Sequence, residues 1–252
     1  MTMLLDLTGK VVLITGGANG IGEATAKLCI ERGAIVVTAD MNTEAGERSA
    51  AAIREQGGQI DFVQTDVRSA ESVSALIDFI KQKYGRLDKM VCAAGVLRGP
   101  WLQPEELPLE EFELTMDVNV KGSFLCAKYA TPLLVESDSA VIVNVASGAG
   151  VIGPSSSLAY GASKGGANGF SMTLANHLKD RNVRVNTLCP GNIVTQMKLS
   201  VEVAAAERDG TSVEAALEKA RQNYGVPEGV AKIIAFMISD EADYLRGALF
   251  TR

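Results

Sequence analysis

Lys10-Val-Val-Leu-Ile-Thr15-Gly16-Gly-Ala-Asn-Gly20-Ile-Gly22-Glu23-Ala-Thr-Ala-Lys-Leu-Cys-Ile-Glu-Arg32 carries three local signals in succession. The β-branched apolar run 10–15 reads as a buried strand. The glycines allow a tight turn and a close backbone approach. Residues 23–32 are helix formers, and Gly33 stands where a helix C-terminal glycine would. A helix that opens on such a turn presents free N–H groups and a positive dipole end, the requirements for holding a pyrophosphate. The glycines at 16, 20 and 22, with an additional Gly17, follow G-x-x-x-G-x-G rather than the commoner G-x-G-x-x-G. The expected cofactor contacts of this turn are Gly16, Asn19, Gly20, Ile21 and Gly22.

The next strand, 34–39, closes on Asp40. A carboxylate there accepts hydrogen bonds from an adenosine ribose diol and repels a 2′-phosphate. No basic residue stands at the neighbouring positions, which are Asn19 and Met41, so NAD(H) is favoured over NADP(H).

Further along, helix and strand patterns alternate. Helices are expected at 43–56, 69–84, 109–137 (with Gly122 as an interruption), 157–179, 198–223 and 227–239. Strands are expected at 59–65, 87–94, 140–146, 183–188 and 248–251. Alternation of this kind predicts an α/β fold: a single Rossmann-type, doubly wound domain over 1–252, with a seven-stranded parallel sheet and helices on both faces. Residues 198–223 lack a strong apolar stripe, and 192–224 read as a substrate lid.

The totals narrow the function. Apolar residues make up 47%, enough for a large core, and the net charge of −6 argues against general affinity for nucleic acid or anionic membrane. No apolar run approaches the ~20 residues of a membrane span. The start, Met1-Thr-Met-Leu-Leu-Asp-Leu7, has neither the charged nor the long apolar region of a signal peptide. Cys29, Cys92, Cys126 and Cys189 are widely spaced, which excludes a paired metal motif and fits free thiols in a reducing cytoplasm. The single His177 lacks a second histidine or a carboxylate cluster, so it is read as structural and no metal site is expected.

Chemistry concentrates at Ser147 and Tyr160-Gly-Ala-Ser-Lys164. Ser147 follows a strand, and Tyr160 and Lys164 share one face of the following helix. The Tyr-x-x-x-Lys spacing alone is common by chance. Taken together, however, Thr15-Gly16-x-x-x-Gly20-x-Gly22, Asp66, Asn119, Ser147, Tyr160-x-x-x-Lys164 and Pro190-Gly191 resemble the short-chain dehydrogenase/reductase family over residues 7–247.

The resemblance implies a role for each position. Tyr160 is the general acid/base. Lys164 lowers the phenol's pKa and binds the nicotinamide ribose, Ser147 orients the substrate oxygen, and Asn119 anchors a water that relays protons to Lys164. Asp66 and Val67 contact adenine, Ala93, Ala94 and Gly95 line the cofactor path, and Pro190, Gly191, Ile193 and Thr195 hold the nicotinamide end. Cys92 stands where the family usually has the first asparagine of Asn-Asn-Ala-Gly, which puts local sheet support in question. The chain also stops at Phe250-Thr-Arg252, before the family's usual Asp-Gly-Gly turn.

Segments 96–101, 149–157 and 192–220 are the expected substrate walls, made apolar by Leu97, Trp101, Val151, Ile152 and Met197. The glycines following Tyr160 suggest close packing against the sheet or another subunit, and the resemblance implies a homotetramer. The leading expectation is hydride transfer between NAD(H) and an uncharged secondary alcohol or ketone of moderate size. The alternatives are an NADPH-dependent 3-oxoacyl reductase or a non-catalytic dinucleotide sensor.

Overall fold

The computed structural model describes residues 5–251; the readings resting on residues 1–4 and on Arg252 lie outside them. Seven strands form one parallel sheet in the order β3-β2-β1-β4-β5-β6-β7. They are β1 (Val11–Thr15), β2 (Ile35–Asp40), β3 (Ile60–Gln64), β4 (Lys89–Cys92), β5 (Ala140–Val145), β6 (Val183–Cys189) and β7 (Gly247–Phe250). The strand order reverses between β1 and β4, so the carboxyl ends of those strands open a crevice, the usual ligand position in such sheets.

Alternate residues of the strands feed two apolar layers. Val11 and Leu13 of β1 pack with α3 (Ala70–Tyr84) and α5 (Gly122–Leu134). Val12 and Ile14 pack with α1 (Gly20–Glu31), α2 (Thr43–Glu55) and α9 (Pro227–Ile238). A strand buried on both faces needs the continuous β-branched run read at 10–15. All four cysteines are free and buried, Cys126 included.

Two expected helices are subdivided. The segment 109–137 contains α4 (Leu109–Met116), a π-turn (Asp117–Lys121) and α5. Gly122 is not the interruption, because its backbone is ordinary right-handed helix. It is glycine because a Cβ there would come within 2.8 Å of Val67 Cγ2. The segment 198–223 is α7 (Gln196–Arg208) followed by α8 (Val213–Asn223). Gly210, at φ +63°, ends the first, and the Ser212 side chain caps the second by accepting from Ala215 N at 3.2 Å. These two helices form an excursion pinched at its neck, where Val194 N donates to Gly225 O at 2.8 Å and Gly225 N to Asn192 O at 3.0 Å.

The substitution of Cys92 leaves the sheet paired. Cys92 lies buried between Thr15 and Asn144 in register, and Ala93 N donates to Thr15 O at 3.1 Å. α6 (Leu158–Leu178) carries Tyr160 and Lys164, and its glycines admit the 148–153 loop. A Cβ on Gly165 would lie 2.8 Å from Gly150 O.

Candidate active site

The glycine turn is built for close approach. Gly16 has φ +70°, and a Cβ there would strike Ala94 N at 2.6 Å. α1 begins at Gly20, so Gly22 falls within its first turn. Asn19 occupies the N-cap position but makes no side-chain capping bond, which leaves both its amide and the first helical N–H groups available. Asp40 is held at the tip of β2: Oδ2 accepts from Ala18 N at 3.2 Å and Oδ1 from Asn42 N at 3.0 Å. Each oxygen retains a lone pair.

These groups line one end of a cavity of about 470 Å³ that runs along the carboxyl edge of the sheet. Gly16, Asn19, Gly20, Ile21, Gly22, Asp40, Val67, Ala93, Ala94, Gly95, Pro190, Gly191, Ile193 and Thr195 all border it, as do Ser147, Tyr160 and Lys164. Two predicted site residues stand apart from this wall. The Asp66 carboxylate is engaged by Arg68, whose Nη2 lies 2.8 Å from Oδ2, and that hydrogen-bonded guanidinium holds the acid below its ordinary pKa. Asn119, on the π-turn, is buried behind Gly95. Its Nδ2 donates to Val96 O at 2.9 Å and Ser163 Oγ at 2.8 Å, while its Oδ1 accepts from Val96 N at 2.8 Å. The side chain is thus a strut for the Gly95–Val96 wall.

At the catalytic end, the Ser157 hydroxyl caps α6 by accepting from Tyr160 N at 3.1 Å, which fixes where Tyr160 emerges. Lys164 Nζ donates to Val145 O at 2.8 Å and sits 5.5 Å from the centre of the Tyr160 ring. Burial lowers the Lys164 pKa to about 8. Burial also pushes the Tyr160 phenol above its ordinary value, opposed by a hydrogen bond with Ser147. The expected downward shift of the phenol is therefore reversed here, because desolvation of the phenolate outweighs the groups that favour it.

The substrate wall differs from expectation in one respect. Leu97, Trp101 and Met197 line the cavity, but Val151 and Ile152 do not. Gly150 N donates to Gly153 O at 2.8 Å, and this tight turn leaves Ile152 70% exposed. Pro154, Ser155 and Ser156 take their place, making that wall more polar. Lys198, within the expected 192–220 wall, adds a charge to the cavity edge; its Nζ pairs with Glu202 at 2.8 Å, and Tyr224 Oη donates to the same carboxylate at 2.9 Å. The (i, i+4) spacing of Lys198 and Glu202 was the available signal for this pair. Among the described residues, no cluster of His, Cys, Asp or Glu could hold a metal ion, and no helix is long and apolar enough to cross a membrane.

The family described as short chain dehydrogenase matches residues 10–206. A 3-oxoacyl-[acyl-carrier-protein] reductase from Thermotoga maritima is 34% identical over 243 residues, covering 96% of each chain. A cyclopentanol dehydrogenase from Comamonas sp. is 34% identical over 240 residues, covering 95% of this chain and 93% of its own. The crystal structure of an NAD⁺-bound xylitol dehydrogenase superposes with a TM-score of 0.89 at 30% identity, covering 97% of this chain and 98% of the other.

Proposed function

The chain belongs to the short-chain dehydrogenase family and is an oxidoreductase of that family; on this premise we propose that it transfers hydride between NAD(H) and a small secondary alcohol or ketone. The observation that carries the NAD assignment is Asp40, whose two carboxylate oxygens are oriented by separate backbone N–H groups at the adenosine end of the cavity. A ribose diol can donate to such a carboxylate, whereas a 2′-phosphate meets like charge.

The residues present fit the dinucleotide. The turn at Gly16, Asn19, Gly20, Ile21 and Gly22 offers uncapped N–H groups to the pyrophosphate. Val67 belongs to the adenine side, with Asp66 next to it in sequence but its carboxylate held by Arg68, and Ala93–Gly95, Pro190, Gly191, Ile193 and Thr195 to the path toward the nicotinamide. When bound, NAD(H) supplies the hydride acceptor or donor that protein side chains lack.

Tyr160 is the proton-transfer residue. Its burial keeps the phenol protonated near neutrality, so the resting side chain is a donor to a ketone oxygen. In the oxidative direction Ser147 supports the phenolate by hydrogen bonding and orients the substrate hydroxyl. Lys164, with its pKa near 8, supplies an ammonium for the nicotinamide ribose and exchanges protons readily at the pH where the phenol must be recharged. Asn119 holds the wall behind Lys164, through which a water relay would pass.

The chain acts as one Rossmann-type domain, with 192–224 as a lid over the substrate. Leu97, Trp101 and Met197 suit an uncharged substrate. Phe124 at 47% and Met172 at 61% exposure on α5 and α6 support association through those helices into a homotetramer, and the free buried thiols support a reducing, cytoplasmic setting.

The test is a panel of secondary alcohols assayed with NAD and with NADP, read by absorbance of the reduced nicotinamide. Turnover preferring NAD is expected; a clear NADP preference would remove the Asp40 argument. That outcome would favour the second reading, an NADPH-dependent 3-oxoacyl reductase, for which the Thermotoga maritima relative speaks. Light scattering on the eluted protein checks the tetramer, and a monomer would exclude it.

A further inference from the structure

We propose that Trp101 sets the size limit for the substrate's apolar end and that Arg208 of α7 holds its ring in place. This rests on reading the cavity as an alcohol or ketone site.

Trp101 lines the cavity yet remains 39% exposed, so it stands at the mouth. Its backbone φ is +67°, an uncommon conformation for a bulky side chain and one that needs support from its surroundings. The support is specific. Trp101 N donates to Ser156 O at 2.7 Å, and the Ser157 hydroxyl donates to Arg98 O at 2.6 Å. Ser157 is also the residue that caps the helix of Tyr160. The indole is therefore tied to the same structural unit that positions the proton-transfer phenol.

Its other neighbour lies on the excursion. The Arg208 guanidinium sits 4.5 Å from the centre of the Trp101 ring. Asp209 orients that guanidinium through two hydrogen bonds, Nε to Oδ1 at 2.7 Å and Nη2 to Oδ2 at 3.0 Å. α7 and α8 pack chiefly against each other, so the stack bridges the pinched excursion to the body of the protein. A substituent extending from an oxygen held by Ser147 and Tyr160 meets Leu97, Met197 and the indole, which border the same cavity. Longer substituents must displace the indole and break its contact with Arg208.

Trp101 is the only tryptophan of the chain, so its emission reports on the stack directly. Two measurements test the proposal. In a homologous series of 2-alkanols, Trp101→Ala should move the length at which kcat/KM declines toward longer alcohols, with cofactor affinity unchanged. Trp101→Gly, which suits the positive φ, serves if the alanine variant folds poorly. Arg208→Ala should raise KM roughly two- to fivefold, more than it lowers kcat, as expected for loss of an exposed cation–π contact, and Arg208→Lys should restore much of it.

Independently of turnover, acrylamide should quench Trp101 emission more strongly in Arg208→Ala than in the wild type or Arg208→Lys. An unchanged length profile in both Trp101 variants, or equal quenching in all three proteins, would overturn the proposal. A wild-type protein inactive toward every alcohol would instead sink the alcohol reading. The quenching comparison would then still decide the clasp, and the corresponding ketone series with NADPH would decide the size limit.

Discussion

Gly22 packs so closely against Gly16 that a Cβ at position 22 would lie 2.1 Å from the Gly16 carbonyl oxygen. The first turn of α1 and the phosphate-binding turn thus share one steric constraint. Alanine at 22 would gain about 1 kcal/mol of helix propensity but would have to push the turn open. Overpacking typically costs about 1–3 kcal/mol, and here the atoms that must move are backbone, so Gly22→Ala should come out net destabilised, by about 1–2 kcal/mol in urea unfolding. Its NAD affinity, followed by NADH fluorescence titration, should fall more than stability does. Retained affinity would show that the turn does not hold the cofactor.

Tyr160→Phe removes the phenolic proton while preserving the ring. General acid–base catalysis typically contributes about 10²–10⁴-fold, and turnover should fall by that order. Cofactor affinity should fall by no more than about tenfold, since a lost hydrogen bond there costs on the order of 0.5–1.5 kcal/mol at most. Initial rates beside a cofactor titration separate the two effects, and near-normal turnover would refute the assigned role.

Asp40→Ser removes the charge that faces the adenosine ribose. Hydrogen bonds to a charged group contribute about 1.5–3 kcal/mol, so KM for NAD should rise on the order of ten- to a hundredfold. KM for NADP should fall, because the like-charge repulsion is gone. An unchanged ratio of kcat/KM for the two cofactors would show that Asp40 does not select between them.

Lys89 gives a pH dependence remote from the site. It is fully buried at the start of β4, donates to Ser139 O at 2.5 Å and has its pKa lowered to about 8 by burial. Between pH 8 and the ordinary lysine pKa of 10.5, the unfolded chain carries a proton at this position that the folded chain has released. Stability therefore rises with pH across that window on account of Lys89, and the folded state bears the full penalty below pH 8. Lys89→Met lacks this contribution. The stability of the variant relative to wild type should thus decline as pH rises from 8 to 10, compared by denaturant unfolding at each pH. A difference independent of pH would show that Lys89 titrates alike in both states.

The alternation of strands and helices, the crevice and most cavity-lining residues were readable from local signals, since continuous β-branched runs, helix caps and a glycine turn act over a few residues. Position 122 shows where that ends. A glycine within a helical pattern reads as an interruption, but the irregularity is the π-turn before it, and the glycine answers to Val67 from another segment. The break in 196–223 did carry a local signal in Asp209-Gly210-Thr211-Ser212, which a strongly helical composition masked.

The sequence alone thus determined the doubly wound sheet and the dinucleotide turn, because periodicity and short motifs are properties of neighbouring residues, and the combined motifs that resemble the family picked out the Ser147–Tyr160–Lys164 set. Tertiary structure decided the state and use of those groups. Burial raises the Tyr160 phenol and lowers Lys164 to about 8, Arg68 occupies Asp66, and Asn119 braces Val96. It also replaced Ile152 with Ser155 and Ser156 in the cavity wall and brought Arg208 onto Trp101. Desolvation and contact between distant segments depend on what the completed fold encloses, and no short stretch of chain encodes that.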